Sequence, residues 1–558
     1  MTFVYPKWIP GEHTPTGPLM QLAGLHVKAG SAELPWTRDL VDVFAFHVDV
    51  PAGAPSIDVD FDYMSPSSTF GGGYGESANA TQKLLLILFN QSVVYSAGTP
   101  TDQLTYRASV QLPAGWKFET ALPIASQNGQ RIDFAPVSLT TLVDSPIVAG
   151  EYMRVIPVSD TARIVVTADS QSALAMNDAR IGQIRNLVAE TDALFGARHY
   201  RTYRWLVTLS DLIYPQGLEH HESTDIRQGE RGLTDPDDTA RTITILSHEF
   251  VHSWNGKYRR PGGLATPDYQ QPMTGELLWV YEGMTRYLGD FVLSARTGMR
   301  SMDEDREYAA WVAANLDRNR PGRSWRPLVD TAADVQTIAN APNEEVPYRR
   351  GLDYYDESLL VWLDADTTIR AKSGGTKSLD DFAKIFFGAP SSAPMVKPYT
   401  LDDVVAALNR VVANDWRAFL DARVYRVTPH PPLNAFEQAG WRLTWSETPN
   451  WYQSLRERTS KQTDESFTIG AWIKQDGTIA DVVYPNPLVP GMKITSVNGR
   501  KYSSDVIREE IAAKHPLDLN VEQGSFSGAF HLDYHDGQRY PHLERTSGAD
   551  LLMDILKR

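Results

Sequence analysis

Two histidines four residues apart, His248 and His252, enclose Glu249 in a His-Glu-x-x-His motif. On a helix, residues at this spacing lie one above the other on the same face, so both imidazoles can reach one metal ion. The Glu249 carboxylate, one residue further round, can act on a metal-bound water without ligating the metal itself. The motif therefore predicts a zinc ion, an activated water and a general base.

A catalytic zinc ion needs a third protein ligand and one open position for water. The chain contains no cysteine, so zinc must be held by histidine and carboxylate groups. Glu282 lies in the apolar segment Leu277–Gly283, where an unpaired carboxylate would be costly to bury and where coordination of a metal removes that cost. We therefore predict one Zn²⁺ per chain, bound by His248, His252 and Glu282.

The composition limits the number of domains and the class of partner. A chain of 558 residues is too long for one hydrophobic core and predicts several domains. A net charge of −16 and the lack of a long Lys/Arg cluster argue against nucleic acid or an anionic membrane surface as a partner. No segment approaches the roughly 20 apolar residues of a membrane-spanning helix. The first residues do not have the pattern of a signal peptide, and neither compartment nor oligomeric state is indicated.

Short alternating runs separated by glycine and proline dominate residues 1–170. Many short strands with turns between them are typical of an antiparallel β-sandwich. No catalytic constellation is visible there, so we expect a domain that is structural or that shapes the substrate site. The runs and turn signals include Val41–Phe46, Pro51–Gly53, Ile57–Phe61, Gly71–Gly73 and Ile164–Val166.

Helical periodicity begins after Ala168 and predicts a second domain over residues 171–455. The metal motif lies in a helix for which Asp238 is the expected N-cap. The later part of this domain is mostly helical, with an amphipathic helix over Tyr354–Ala371 and a helix capped by Thr400. The fold class is thus multidomain α+β.

Strand-like runs return in residues 456–558 and predict a separate β-rich domain. Hairpin turns are expected where glycine follows Asp or Asn, because these residues tolerate the backbone of tight turns. The three such turns are Asp476-Gly477, Asn498-Gly499 and Asp536-Gly537.

The segment from Ser247 to Asp290 resembles the glycyl aminopeptidase family of zinc peptidases, family sixty-one of the metallopeptidases. Its third-ligand segment is also similar to that of the aminopeptidase N family, which shares the catalytic fold. The resemblance implies a thermolysin-like catalytic domain with Glu249 as the base. The matching residues are His248–Asn255, Arg260-Pro261, Pro267–Tyr269 and Leu278–Gly283.

An upstream segment, Gly217-Leu218-Glu219-His220, resembles the family's glycine-rich exopeptidase motif. An aminopeptidase must measure one residue from the free amine, and a carboxylate at the end of the cleft both binds the ammonium and fixes that distance. The resemblance implies that Glu219 holds the substrate's α-amino group and that Gly217 belongs to the substrate site. Gln216 is a departure, because a second glycine is common at that position.

Peptide hydrolysis also needs a donor for the tetrahedral oxyanion. Both families place a tyrosine after the third zinc ligand, often in a Tyr-x-Lys-Gly context. Tyr355 aligns best with that tyrosine, and Tyr354 is the alternative. Because Glu357 and Ser358 stand in place of Lys-Gly, the choice between the two stays open, as does a core-filling role for either.

The end and the beginning of the chain extend the resemblance. Pro490–Gly499 is similar to the conserved turn and strand of a PDZ domain, which this family often carries. Capture of a peptide by strand addition would need a loop of backbone amides, and the nearest segment, Phe467–Trp472, lacks the usual glycine pattern. Tyr5–Glu12 resembles the interior of the family's N-terminal domain, which implies that the first strands are missing from this chain.

These observations lead to the hypothesis of a zinc aminopeptidase acting on peptides with a free N-terminus. The resemblance implies a preference for N-terminal glycine, with alanine or other small residues as further substrates. Two alternatives stay open: a zinc endopeptidase on the same scaffold, and a non-catalytic PDZ and β-sandwich interaction protein.

Overall fold

A computed structural model describes residues 1–66, 77–318, 320–338 and 346–557. The predicted turn at Gly71–Gly73 lies outside these residues. The chain divides into two compact units, described separately below, and the three-domain division stays a prediction. The first unit comprises Met1–Asp235, Ile245–Gly275 and Phe386–Leu401, and the second comprises Pro236–Thr244, Glu276–Ile385 and Asp402–Arg558.

The described part of the first 150 residues is rich in antiparallel strands, as the sequence predicts, and contains one short α-helix, Leu139–Val143. The strands pair in small sheets around a core that includes Phe134, Leu139 and Ile147. Their arrangement as a sandwich stays a prediction. The strands are Thr2–Val4, Leu22–Ala29, Ala32–Glu33, Trp36–Arg38, Ala45–Val48, Asp58–Tyr63, Leu84–Ile87, Tyr95–Ser96, Thr105–Tyr106, Ser109–Gln111, Lys117–Thr120, Ile124–Asn128, Arg131–Phe134, Val137–Ser138 and Ile147–Gly150.

A five-stranded mixed sheet follows, with parallel pairings at its centre. The helix Asp178–Phe195 makes the crossover that a parallel pair requires. The predicted run Ile164–Val166 lies in a central strand and is fully buried. In spatial order the strands are Tyr152–Pro157, Ala162–Ala168, Tyr203–Leu209, Ser223–Gln228 and, at the edge, Gln216–Glu219.

The metal motif lies at the end of a helix that spans Pro236–Val251. The helix begins before the expected cap Asp238, which lies in its first turn instead. Proline suits the first helical position because its missing N–H would have no partner there. Asp237 and Asp238 follow it, where negative charge favours the amino end of the helix.

Helices form most of the second unit between Glu276 and Ser460, again as predicted. The expected amphipathic helix is observed over Asp353–Ser373, and the helix after Thr400 begins at Leu401. The helices from residue 278 onward are Leu278–Thr285, its π-helical continuation Arg286–Leu293, Ser294–Arg296, Met302–Asp317, Pro321–Ser324, Leu328–Ala333, Val335–Ile338, Val346–Arg349, Asp353–Ser373, Leu379–Phe387, Leu401–Val411, Trp416–Leu420, Asp421–Tyr425, Asn434–Gln438 and Trp451–Ser460.

The described residues from Gln462 onward, with the earlier strand Trp441–Ser446, form small sheets and two helices, and an apolar core lies among residues 469–521. Asn498 and Gly499 both have positive φ (48° and 77°) and join two paired strands, as predicted for a tight hairpin turn. The PDZ resemblance stays a prediction. The elements are the strands Trp441–Ser446, Gln462–Glu465, Ala471–Lys474, Ile479–Val482, Lys493–Val497, Arg500–Lys501, Leu517–Gln523, Phe526–Leu532 and Tyr540–Arg545 and the helices Ser504–Ala512 and Leu551–Leu556.

The described helices include none with the length and apolar character needed to cross a membrane. This agrees with the absence of a long apolar segment in the sequence.

Candidate metal centre and active site

The two motif histidines keep helical spacing although the helix ends between them. His252 directly follows the last helical residue, and its backbone N–H still donates to the carbonyl of His248 at 3.4 Å. Both side chains are buried, and their Nε2 atoms lie 3.1 Å apart. The two ring nitrogens therefore point to the same place.

The hydrogen bonding of His252 suits a metal ligand. Its Nδ1 atom lies 2.8 Å from the carbonyl oxygen of Asn255, which can only accept, so Nδ1 carries the proton and Nε2 keeps its lone pair. Two nitrogens each about 2.0–2.1 Å from a tetrahedral zinc ion are roughly 3.3 Å apart. That distance is close to the 3.1 Å separation of the two Nε2 atoms, so the donors fit zinc.

The central sheet holds the motif end of the helix in place. Trp205 Nε1 donates a hydrogen bond to the Leu246 carbonyl at 2.9 Å, and the Tyr203 hydroxyl donates to the Glu249 carbonyl at 3.2 Å. Both aromatic residues are fully buried in one strand of the sheet. These bonds fix the last turn of the helix, and with it the direction of the motif side chains.

Gly217 lies directly against the predicted base. A Cβ atom on Gly217 would stand 2.1 Å from Glu249 Oε1 and 2.8 Å from its Cδ, far inside van der Waals contact. Only glycine leaves room for the Glu249 carboxylate at this point of the edge strand. The family resemblance implies that Gly217 belongs to the substrate site. In the structure, Gly217 also lies in contact with the Glu249 carboxylate.

Within the first unit, three buried side chains have metal-ligand atoms within 4.8 Å of one another: Glu219, Glu249 and His252. This group combines the predicted amine ligand, the predicted base and one predicted zinc ligand. Residues from two separate stretches of sequence thus come together, and Glu282 as the third zinc ligand stays a prediction.

The main chain of Gly11 borders the Glu219 carboxylate. Its φ of +95° favours glycine, and a Cβ there would lie 2.9 and 3.0 Å from the two carboxylate oxygens of Glu219. Gly11 is a site residue that no motif predicts. Its one signal in the sequence is the pair Pro10-Gly11, inside the segment that resembles the family's N-terminal domain.

Glu12 is a second buried carboxylate near Glu219. Burial is the main cause that raises the pKa of Glu12 to about 7; the charges of Glu219 and Asp225 add to it, and the hydrogen bond from Thr16 and the charge of Arg227 oppose it. The carboxylates of Glu12, Glu219 and Asp225 thus lie close enough to interact, and a positively charged group beside them would be stabilised.

A buried charged cluster fixes the chain that follows Glu219. Asp144 accepts from the His221 backbone N–H at 2.8 Å and forms an ion pair with Lys257 at 3.1 Å and a contact with His220 at 3.4 Å. Burial acts to raise the pKa of Asp144, but Lys257 and His220 hold it well below its ordinary value. Sequence reasoning missed this cluster, because its members are far apart along the chain and match no motif.

The helix that carries Glu282 packs closely within the second unit. All residues of Leu278–Thr285 are buried. A Cβ on Gly283 would lie 2.1 Å from the Cβ of Ser358 and 2.8 Å from the Tyr354 carbonyl. The glycine after Glu282 and the small Ser358 together let this helix approach the helix of the two candidate tyrosines.

The two candidate tyrosines differ in environment. Tyr354 is 1% exposed, and burial followed by the nearby charge of Glu282 raises its pKa well above the ordinary value. Tyr355 is half-buried, and its ring lies 5.9 Å from the Arg286 guanidinium. The rings of the two tyrosines are 4.7 Å apart, so both lie in one small region.

Glu357, which departs from the family's Lys-Gly pattern, has a structural explanation. Its carboxylate accepts hydrogen bonds from Arg323 and Arg350. Arg350 also pairs with Asp353 at 2.8 Å, and Arg320 pairs with the same aspartate at 2.8 Å. This buried network anchors the first turns of the tyrosine-bearing helix.

Two family models match the chain. The model of the M61 glycyl aminopeptidase matches residues 241–361, and the model of the M61 N-terminal domain matches residues 1–151. Together they contain the predicted zinc motif, Glu282, both tyrosines and the β-rich N-terminal region. No curated protein matches the chain.

One solved structure shares the fold of the whole chain at low sequence identity. An aminopeptidase N family protein from Idiomarina loihiensis superposes with a TM-score of 0.80 at 17% identity, covering 100% of this chain and 95% of that one. Two further structures superpose less closely. A mutant M1 zinc metallopeptidase from Deinococcus radiodurans gives a TM-score of 0.43 at 14% identity over 74% of this chain and 87% of that chain. Leukotriene A4 hydrolase from Saccharomyces cerevisiae gives 0.44 at 14% identity over 74% and 62%.

Proposed function

Since the chain belongs to the M61 family of peptidases, we propose that it is a zinc-dependent aminopeptidase. The observation that carries this proposal is the close grouping of Glu219, Glu249 and His252, whose ligand atoms lie within 4.8 Å of one another. The α-amino nitrogen and carbonyl oxygen of one residue are roughly 3–3.5 Å apart at standard bond lengths. The span between amine ligand and base therefore suits a single residue, which favours removal of the first residue over internal cleavage.

The motif residues supply the base chemistry. Zinc, when held by His248, His252 and Glu282, supplies Lewis acidity toward water and the scissile carbonyl. Glu249 takes a proton from the attacking water and delivers it to the departing amide nitrogen. The absence of a side chain at Gly217 leaves the space that the Glu249 carboxylate occupies.

A tyrosine hydroxyl stabilises the developing oxyanion. The family pattern assigns this role to Tyr355, with Tyr354 as the alternative. Burial and the charge of Glu282 keep the phenol of Tyr354 protonated at neutral pH, so it can donate a hydrogen bond. Tyr354 lies near Glu282, the proposed third zinc ligand, and this supports Tyr354 as the alternative oxyanion donor.

Glu219 binds the substrate's ammonium group. A carboxylate buried to 3% exposure attracts a cation more strongly than one in water, because its surroundings have a lower dielectric constant. Glu12 contributes further negative charge when it ionises. The main chain of Gly11 narrows the space beside Glu219. Together with the description of the family model, this supports a preference for glycine, alanine or another small N-terminal residue.

Glycyl-p-nitroanilide and its N-acetylated form test the direction of cleavage. We expect hydrolysis of the free amine alone, loss of activity with a chelator and recovery with Zn²⁺. Equal rates on the two substrates would indicate an endopeptidase instead.

The Glu249→Gln variant tests the base. We expect kcat to fall by about 10²–10⁴-fold, the usual contribution of a general base, with unchanged zinc content. Glu447→Gln is the matched control, because that glutamate is 61% exposed and should leave the rate unchanged. Unchanged turnover in Glu249→Gln would remove the proposed base.

A further inference from the structure

A cavity of about 610 Å³ lies within the second unit, a volume typical of small-ligand sites. Its lining combines flat apolar surface with positive charge. Trp311, Trp472 and Val482 provide apolar walls, and Arg318, Arg320 and Arg456 supply guanidinium groups.

Part of the charge in this lining is already compensated. Arg320 pairs with Asp353 at 2.8 Å, and Asp356 pairs with Arg286 at 2.9 Å. Asp481 accepts from the backbone N–H of the next residue at 2.8 Å and is near enough for its charge to act on Arg318. Arg320 and Asp356 thus have ion-pair partners at these distances, whereas Arg318 and Arg456 stack on aromatic rings.

Arg318 is held by aromatic faces rather than by a carboxylate. Its guanidinium lies 4.6 Å from the ring centre of Phe467 and 4.9 Å from that of Trp472, and it donates to the side chain of Asn315. Its Nε is buried without a hydrogen-bond partner. Among the described residues, no carboxylate forms a close ion pair with this guanidinium; burial lowers its pKa to about 9 against the charges of Asp464 and Asp481.

Arg456, on the helix Trp451–Ser460, also stacks on a tryptophan. Its guanidinium lies 4.5 Å from the ring centre of Trp311, and the residue is exposed. Two arginines that stack on tryptophans at one cavity keep their N–H groups available. A planar guanidinium offers parallel N–H donors that match the two oxygens of a carboxylate.

We propose that this cavity binds the C-terminal carboxylate of a short peptide, with Arg318 and Arg456 as its ligands and the tryptophans against the apolar part. Asp353, which lines the cavity, belongs to the helix that carries Tyr354 and Tyr355. If the proposed aminopeptidase function holds, the peptide is its substrate, and short peptides with a free carboxylate are the preferred class. The binding site itself does not depend on that function.

Calorimetric titration of the full chain with N-acetyl-trialanine and with its C-terminal amide tests the proposal. The acetyl group blocks the amine that Glu219 is proposed to bind. We expect the acid to bind at least about tenfold more tightly than the amide, as for one charge-assisted hydrogen-bonded contact. Arg318→Met and Arg456→Met should each weaken binding of the acid by a similar factor.

Arg458→Met is the matched control, because Arg458 is on the same helix, pairs with Asp237 at 2.8 Å and does not line the cavity. It should bind the acid as the wild type does. Arg456 is exposed, so its variant stays informative if Arg318→Met fails to fold. Equal affinity for acid and amide, or unchanged binding in the arginine variants that fold, would overturn the proposal. Failure to hydrolyse glycyl-p-nitroanilide would count against the proposed function and leave this titration readable.

Discussion

Buried carboxylates are compensated differently in the two units. In the first unit, Glu12 has the hydroxyl of Thr16 as its hydrogen-bond partner, and burial together with the charge of Glu219 raises its pKa to about 7. In the second unit, Glu357 lies between Arg323 and Arg350. All these carboxylates are at most 7% exposed, so burial alone does not explain the contrast.

The contrast distinguishes the region around Glu12 and Glu219, which suits a bound cation, from the ion-pair network around Glu357, which has a structural role. A carboxylate between two arginines has its charge satisfied by the protein and serves to hold elements together. Around Glu12, the charge of Glu219 adds to the effect of burial in raising the pKa, and a substrate ammonium would relieve that repulsion. We therefore expect changes at Glu357 to affect stability and changes at Glu219 to affect substrate binding.

The largest effect is expected from Glu357→Gln. Removal of the Glu357 charge leaves the buried Arg323 without its carboxylate partner and Arg350 with Asp353 alone, and breaking a buried ion pair in this way typically costs about 3–5 kcal/mol of unfolding free energy. Thermal or denaturant unfolding measures the change. The exposed Glu447→Gln, whose partner Lys514 is 2.9 Å away, should change it by about 0.5 kcal/mol or less. A loss at Glu357 no larger than at Glu447 would contradict the structural role.

The variants Tyr354→Phe and Tyr355→Phe test which tyrosine, if either, donates a hydrogen bond to the oxyanion. Loss of one oxyanion donor should lower kcat by about 10²–10³-fold with little change in KM. Only the variant that lacks the donor should show this fall, and the other serves as its control. Full activity in both variants would exclude a tyrosine donor.

Glu219→Gln tests whether Glu219, in the first unit, binds the substrate's α-amino group. We expect KM for glycyl substrates to rise and kcat/KM to fall by roughly 10²-fold, since a buried charge-assisted contact is lost. The unfolding free energy should not fall, because an amide is cheaper to bury than a carboxylate. An unchanged KM and kcat/KM for glycyl substrates in Glu219→Gln would contradict the amine-binding role.

The smallest effect concerns the pH dependence of stability. Because the pKa of Glu12 is raised to about 7 in the folded state, the folded protein binds more protons than the unfolded chain above the ordinary glutamate pKa. The contribution of Glu12 to stability is therefore fully present below that ordinary pKa and is lost as pH rises toward 7, by roughly 2 kcal/mol between pH 5 and 7.

Glu12→Gln removes the titrating group and should flatten this part of the pH profile of unfolding. Glu447→Gln should leave the slope as in the wild type. A profile for Glu12→Gln that parallels the wild type would show that Glu12 titrates normally.

Much of the zinc motif and the helical architecture could be predicted from the sequence. The spacing of His248 and His252 encodes their common helical face, and the apolar run around Glu282 indicates a buried carboxylate. The helix over Asp353–Ser373 follows from its periodicity. These features depend on neighbours within one or two turns, so local physical chemistry is sufficient.

Other features could not be predicted in this way. The Asp144 cluster joins residues with no shared pattern. The helix begins at Pro236 and not after Asp238, because proline at the first position and acidic residues in the first turn both suit the start of a helix. Glu357 departs from the family pattern in sequence, and its role is visible only from its contacts with Arg323 and Arg350 in the structure.

The sequence by itself determined the chemical groups and their local spacing: two imidazoles, a base one residue on, and a buried carboxylate further along. Only the tertiary structure decided that Gly11 and Gly217 lie against the carboxylates of Glu219 and Glu249. The reason is physical. Helical spacing is set by hydrogen bonds between near neighbours, whereas the approach of a glycine to a distant carboxylate depends on how whole strands and helices pack.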